Sequence, residues 1–245
     1  MFKIFYNFCA GFFMGLAEVT PGISGATIAG IFNVYKDFLS SLSAFNHSVW
    51  LKGIKNFIQQ LNISFLLPLL LGMVISIFLA ANFIDYLIQN FLFALKVFLS
   101  MVMLFAVIKN IFFDHQFIKT KRYIISFLIG IGVAGAISLA LINLNFNSFF
   151  LLVIAGFFGF SAFILPGISG SLVFLILGVY STIITAITNL NFLELVPVAA
   201  GMLVSFLLLP KKIVEKFEQN SEQTIMIFSG LIFGSIPAVW LHLHA

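Results

Sequence analysis

The sequence predicts an all-α integral membrane protein built as an inverted repeat. Each half is a re-entrant helical hairpin plus two spans, and one further span links the halves. Three observations lead there: the apolar composition, a motif that occurs twice, and the uneven placement of basic residues. Apolar and aromatic residues make up 62% of the chain and charged residues 8%, against about 25% charged in a soluble domain. A soluble fold of 245 residues has too little interior to hide that surface, so a bilayer must supply the apolar solvent. No basic stripe interleaved with aromatics marks a nucleic-acid surface. The lone cysteine, Cys9, excludes an internal disulfide and a cysteine metal cluster. His47, His115, His242 and His244 are scattered and form no metal set.

Residues 11–35 read GFFMGLAEVTPGISGATIAGIFNVY, and residues 156–180 read GFFGFSAFILPGISGSLVFLILGVY, an ungapped offset of 145. Both contain Pro-Gly-Ile-Ser-Gly and both end in Val-Tyr. A second match pairs PLLLGMVISIFL at 68–79 with PVAAGMLVSFLL at 197–208, at offset 129. The first copy therefore holds 16 extra residues, within 36–66. The halves are assigned to 1–113 and 149–245, joined by a linking segment at 114–148. The first 17 residues imitate a signal peptide, but their pattern recurs in mid-chain, where no signal peptide can be.

Runs of about 20 apolar residues suffice to span a bilayer, which places spans near 66–84, 91–110, 123–143, 193–210 and 224–241. The motif segments differ, because Pro-Gly splits each into two arms. The second arm of the first copy, from Ser24 to Tyr35, reaches only about 18 Å at 1.5 Å per residue. It enters a core about 30 Å thick without crossing it. A hairpin returns the chain to the side it left. Three single crossings then separate the copies, and an odd number inverts them.

Charge placement tests this topology. With the N-terminus in the cytoplasm, Lys3, Lys36, Lys52, Lys55, Lys109, Lys119, Lys121, Arg122, Lys211, Lys212 and Lys216 fall on the cytoplasmic side, as the positive-inside rule requires. Lys96 falls toward the outside, and the outer loops near 85–90, 143–148 and 187–193 carry no basic residue. The C-terminus then lies outside. Residues 44–62 mix Phe45, Trp50 and Phe57 with Lys52 and Lys55, the composition of an interfacial helix on the cytoplasmic face.

The candidate site is the pair of motif tips. Pro21 is disfavoured inside a helix, Gly22 and Gly25 permit unusual backbone angles, and Ser24 is a good N-cap for the second arm. Pro166, Gly167, Ser169 and Gly170 repeat the pattern, and Thr27 and Ser171 add hydroxyls. Each tip exposes backbone N–H groups at the positive end of a helix, a natural seat for an anion. The plainer alternative is two kinked helices whose tips cap each other. Glu18 lies three residues before Pro21, while its repeat partner is Phe163. A charge at mid-membrane costs about 2.5–3.5 kcal/mol, so Glu18 is a candidate to hold a proton and donate or transfer it. Its plainer role is to bond the backbone broken at Pro21. Lys96 is expected to snorkel to the outer interface, and Tyr35 and Tyr180 to act as interface anchors.

The string Gly-X-Ala-Glu-X-X-Pro-Gly-Ile-Ser-Gly-X-Thr at 15–27, echoed by Leu-Pro-Gly-Ile-Ser-Gly-Ser at 165–171, resembles the polyprenyl-phosphate transporter family. The resemblance extends through the Pro-X-X-X-Gly-Met helices to Gly-Leu-Ile-Phe-Gly-Ser at 230–235. It implies a flippase that returns undecaprenyl phosphate to the cytoplasmic leaflet of the bacterial inner membrane for cell-wall synthesis. It implies phosphate contact around Ser24 and Ser169 and an acidic role for Glu18. It implies no resident cofactor, with a proton or cation as the coupling species. Ala26 is a departure, since glycine is expected there in relatives. The rival is a membrane enzyme: undecaprenyl-pyrophosphate phosphatases carry a similar tip with an arginine where this chain has Gly25 and Gly170. Without a cation or base beside the tip, hydrolysis has no catalyst, so a non-enzyme is expected. A carrier of a small soluble anion is the third reading.

Overall fold

A computed structural model describes residues 2–20, 22–51, 53–113, 121–139 and 148–243. Pro21, Lys52, His115, Lys119 and His244 lie outside these residues, as do 114–120 and 140–147 of the linking segment expected at 114–148, and with them most of the outer loop near 143–148. Every regular element among the described residues is helical. The first half comprises α1 (Phe2–Val19), α2 (Gly25–Ile31), α3 (Tyr35–Ser43), α4 (His47–Trp50), α5 (Ile54–Leu61) and α6 (Ile63–Ile108). Next comes α7 (Ile124–Leu139). The second half comprises α8 (Phe149–Ile164), α9 (Gly170–Ile176), α10 (Tyr180–Thr188), α11 (Phe192–Gln219), α12 (Ser221–Gly234) and α13 (Ile236–His242).

Four helical stretches are long and apolar enough to cross a membrane: Ile63–Ala80, Phe83–Phe113, Phe192–Gln219 and Ser221–His242. The protein is therefore multi-pass. The long α6 is interrupted at Phe91, whose φ of −136° and ψ of 34° are not helical, so two spans are joined by a corner. The span expected at 123–143 is shorter among the described residues: α7 has 16 residues, about 24 Å. Conversely, α11 runs past the expected 210 to Gln219. Its 28 residues exceed a 30 Å core by about 12 Å, which carries Lys211, Lys212 and Lys216 beyond it.

Small residues let the helices approach closely, the usual means of helix association in lipid. A Cβ on Gly11 or Gly72 would meet the backbone of Leu69 or Phe8, and one on Gly15 would meet that of Met73. Contacts of Gly11 with Leu69 and Gly15 with Met73 advance together, so α1 and the first part of α6 run parallel. The second half repeats this packing residue for residue. Gly156 lies on Val198 and Gly201 on Val153, the counterparts at offsets 145 and 129. Farther on, Ser161 Oγ lies 3.1 Å from Ser205 Oγ, so α8 and α11 are parallel as well. Between each parallel pair, the chain must return to the end from which it started.

Basic residues collect at one end of the bundle. Tyr6 donates to the Phe32 carbonyl at 2.6 Å, and Lys109 Nζ donates to Asn33 Oδ1 at 2.7 Å, so the start of α1, the end of α2 and the end of α6 share this end. The Tyr35 ring meets Phe217, which brings the last turns of α11 there, and Lys211 Nζ donates to Ser48 Oγ at 2.7 Å. The opposite end holds Lys96, whose Nζ donates to the Trp240 carbonyl at 3.1 Å and lies 5.8 Å from that indole ring's centre. Lys96 thus reaches the end of the bundle opposite the other basic residues, where it meets α13. Within 44–62 the chain forms α4 and α5 rather than one continuous helix, and no residue of α5 is buried. Tyr35 corrects a second expectation. It is 6% exposed and starts α3 inside the bundle, whereas Tyr180 is exposed.

Candidate functional site

Each motif breaks a helix in the same way. Gly22 has φ +93° and its counterpart Gly167 has φ +88°, a region costly for any residue with a Cβ. The following residues, Ile23–Ser24 and Ile168–Ser169, lead into α2 and α9, and Ser24 and Ser169 both have extended backbones. Nine residues after Ser24 and Ser169 each chain reaches a left-handed residue just past its helix, Asn33 (φ 55°) or Gly178 (φ 71°). The Val34 amide then donates to the Ala29 carbonyl and the Val179 amide to the Phe174 carbonyl, bonds that satisfy carbonyls at a helix end.

The chemistry at the two helix starts differs. At the first, Gly25 N–H donates to Glu18 Oε1 at 2.6 Å, Ala26 N–H donates to Ser24 Oγ at 3.2 Å, and Thr27 N–H donates to the Ser24 carbonyl at 2.9 Å. These leading amides are satisfied from within the chain, and Glu18 takes the plainer of the two roles its sequence position suggested. At the second, Phe163 replaces Glu18. Ser169 Oγ pairs with Ser171 Oγ at 2.8 Å, and no side chain caps α9. Among the described residues, the amides of Gly170 and Ser171 have no hydrogen-bond partner in the chain.

The two breaks meet. Gly167 N–H donates to Thr27 Oγ1 at 2.9 Å, and Ser24 Oγ approaches the Leu165 carbonyl at 3.4 Å. Tyr35 O–H donates to the Ile164 carbonyl at 2.7 Å, a buried bond between residues 129 positions apart. Thus Glu18, Gly22, Ser24, Gly25, Thr27, Pro166 and Gly167 lie together, while Ser169, Gly170 and Ser171 flank them on the α9 side. Gly167 packs on the backbone of Ile232, and Gly22 on Val239, so α12 and α13 support both breaks.

A cavity of about 230 Å³ connects this meeting point to the basic end. Thr27 and Pro166 line its inner part, Tyr35 its wall, and Asn33, Lys36 and Asn110 its mouth. Tyr35, Asn33 and Asn110 are site residues that motif reasoning did not select. The repeat offered one signal: Asn33 sits where the second copy has glycine, a substitution that marks a left-handed turn. Nothing in the local pattern marks the partner of Tyr35, because that partner is a carbonyl in the other half.

The protein is thus a multi-pass helical membrane protein in which two broken helices meet beside a cavity with a few polar groups in a largely apolar wall. Residues 14–245 match the model of the family described as VCA0040-like, undecaprenyl phosphate translocase-like. The chain belongs to this family. It is 27% identical over 248 aligned residues, covering 96% of this chain and 77% of the relative, to the polyprenyl-phosphate transporter of Vibrio cholerae serotype O1 (strain ATCC 39315 / El Tor Inaba N16961). No solved structure matches the chain significantly.

Proposed function

We propose that the protein moves a polyprenyl phosphate, undecaprenyl phosphate in a bacterial inner membrane, between leaflets as part of carrier-lipid recycling for the cell wall. The observation that carries this reading is the contact between Gly167 and Thr27, at the inner end of a cavity whose mouth is basic. The two breaks serve as tips of re-entrant hairpins in an inverted repeat, with halves at 1–113 and 149–245. The parallel pairing of α1 with α6 and of α8 with α11 supports this, since each hairpin must return the chain to its starting side. By the positive-inside rule the basic end is cytoplasmic, so the N-terminus is inside and the C-terminus outside.

In this closed arrangement the tip groups satisfy one another. A phosphate entering through the cavity can replace those partners. Its oxygens would accept from Gly167 N–H in place of Thr27 Oγ1, and from the Ser24 and Tyr35 hydroxyls in place of carbonyls. Ser169, Gly170 and Ser171 offer the next donors on the far side, and Pro166, Gly22 and Gly25 keep the breaks from closing into continuous helix, the part the sequence also suggests for Pro21. A helix terminus stabilises an anion by at most about 2 kcal/mol, whereas complete dehydration of an ion costs of the order of 20 kcal/mol. The phosphate must therefore stay partly hydrated or travel with a proton or cation. Glu18, beside Gly25, is the residue placed to take that proton, since a neutral carboxyl does not repel the phosphate. No resident cofactor is invoked, and hydrolysis is not, because glycine stands at both tip positions where a phosphatase would need a cation.

The test is reconstitution into liposomes with labelled undecaprenyl phosphate in one leaflet. Exchange without release of inorganic phosphate is expected. Phosphate release would favour the phosphatase, and uptake of a soluble anion without lipid exchange would favour an anion carrier.

A further inference from the structure

Two apolar grooves flank the meeting point of the breaks, one beside each hairpin. The first has a volume of about 490 Å³ and the second about 470 Å³, both within the range of about 300–1,000 Å³ typical of ligand pockets. Their hairpin walls correspond residue for residue. Ala17, Ile23 and Ile31 line the first, and Ala162, Ile168 and Ile176, each 145 positions later, line the second. Every other hairpin residue of the first groove likewise has its counterpart in the second. The opposite walls differ: phenylalanines of α6, among them Phe83, Phe98 and Phe105, face the first hairpin, and Val133 and Ile137 of α7 face the second.

Each groove also adjoins the polar chamber. Ile28 lines the first groove beside Thr27, and Leu165 lines the second beside Pro166, while Thr27 and Pro166 line the chamber. A molecule with an anionic head among the tips and a hydrocarbon tail would place that tail in one groove or the other.

Building on the transport reading above, we propose that the two grooves are paired sites for the isoprenoid tail of the transported lipid. One is occupied when the head enters from the cytoplasmic leaflet, and the other when it enters from the outer leaflet. The small side chains Ala17 and Ala162 leave room for a methyl-branched chain at equivalent heights. Phenylalanines of α6 give the first groove flat walls for its double bonds. Because a full cycle visits both grooves, filling either one slows exchange.

The experiment uses the full chain in nanodiscs of phosphatidylglycerol and phosphatidylcholine doped with undecaprenyl phosphate. A photo-crosslinking benzoylphenylalanine replaces Phe98, Val133 or, as a lipid-facing control, Phe78, which is 79% exposed. Undecaprenyl phosphate adducts at Phe98 and Val133 are expected to be enriched at least tenfold over the lipid's mole fraction and to saturate, with no enrichment at Phe78. Val102→Trp and Val133→Trp, which fill one groove each, are expected to slow leaflet exchange at least tenfold. Adducts that follow lipid abundance at all three positions, while the unmodified protein still exchanges lipid, would overturn the groove assignment and leave the transport reading intact. Enriched adducts in a protein that exchanges nothing would overturn the transport reading and retain the grooves as isoprenoid sites. Enrichment at only one groove would overturn the pairing.

Discussion

The two helix breaks share a backbone and differ in electrostatics. Gly22 and Gly167 adopt the same left-handed angles, and both short helices end in the same turn. The first break carries its own anion, Glu18, on its leading amide. The second has Phe163 in that place, and its own hydroxyls, Ser169 and Ser171, pair with each other rather than with the leading amides. Duplication supplied the geometry twice, and two differences, Glu18 against Phe163 and Ala26 against Ser171, leave the leading amides capped at one break and uncapped at the other. On the proposed reading, a phosphate would find its amide donors on the α9 side, while the α2 side would offer hydroxyls and the Glu18 carboxyl.

Several substitutions would break or sharpen this contrast. The largest effect is expected at the glycines. Gly167→Ala must adopt φ +88°, at about 1–2 kcal/mol, and its Cβ would meet the backbone of Ile232. A loss of about 3 kcal/mol or more follows once overpacking is added. Gly22→Ala meets mainly the Val239 side chain and should cost about 2 kcal/mol. Thermal melts of the detergent-solubilised variants would rank them. Equal melting temperatures would show that the two breaks are packed alike.

Phe163→Glu would give the second break the anion it lacks, beside the Gly170 amide. It is expected to cut undecaprenyl phosphate exchange at least tenfold, by occupying that amide and repelling the headgroup. An unchanged rate would mean that the open amides play no part in binding. The reciprocal change, Glu18→Gln, keeps a carbonyl oxygen for Gly25 N–H, so stability should move by less than about 1 kcal/mol. Exchange should then lose its dependence on pH, because the side chain no longer titrates. A pH profile identical to that of the unmodified protein would remove Glu18 from proton coupling.

Thr27→Val deletes the acceptor for Gly167 N–H and leaves a buried amide unpaired, at about 1–3 kcal/mol. The smallest effects separate the two serines. Ser24→Ala loses a helix cap, typically about 1 kcal/mol, and Ser169→Ala loses no cap and should cost less than about 0.5 kcal/mol. Both should weaken lipid phosphate binding, measured by isothermal titration in nanodiscs. Unchanged affinity in both would remove the serines from the site.

Much of this organisation was legible in the chain because it is local or repeated. Pro-Gly-Ile-Ser-Gly gives a positive-φ glycine followed by an extended serine in both copies, though only Ser24 caps its helix, and Glu18 lies close enough in sequence for its backbone role to be foreseen. Charge placement anticipated the basic end, since Lys36, Lys109 and Lys211 are held there by elements whose directions the apolar runs already implied. The contacts that make the site were not legible. Thr27 with Gly167 and Tyr35 with Ile164 join residues 140 and 129 positions apart, and one partner in each pair is a main-chain group that any residue possesses. Tyr35 looked like an interface anchor because it and its repeat counterpart Tyr180 close the ends of their hairpins. Burial against Phe217 and Phe228 overrides that placement. The pairing of Lys96 with Trp240 was hidden for the same reason.

The central claim is that the two breaks must part for a headgroup to pass. In a Cys9→Ser background, Ser24→Cys and Leu165→Cys place thiols on the two breaks, where Ser24 Oγ lies 3.4 Å from the main-chain carbonyl of Leu165. A short methanethiosulfonate cross-linker between them should stop undecaprenyl phosphate exchange in proteoliposomes, and reduction should restore it. Exchange at the full rate through cross-linked breaks would contradict the account.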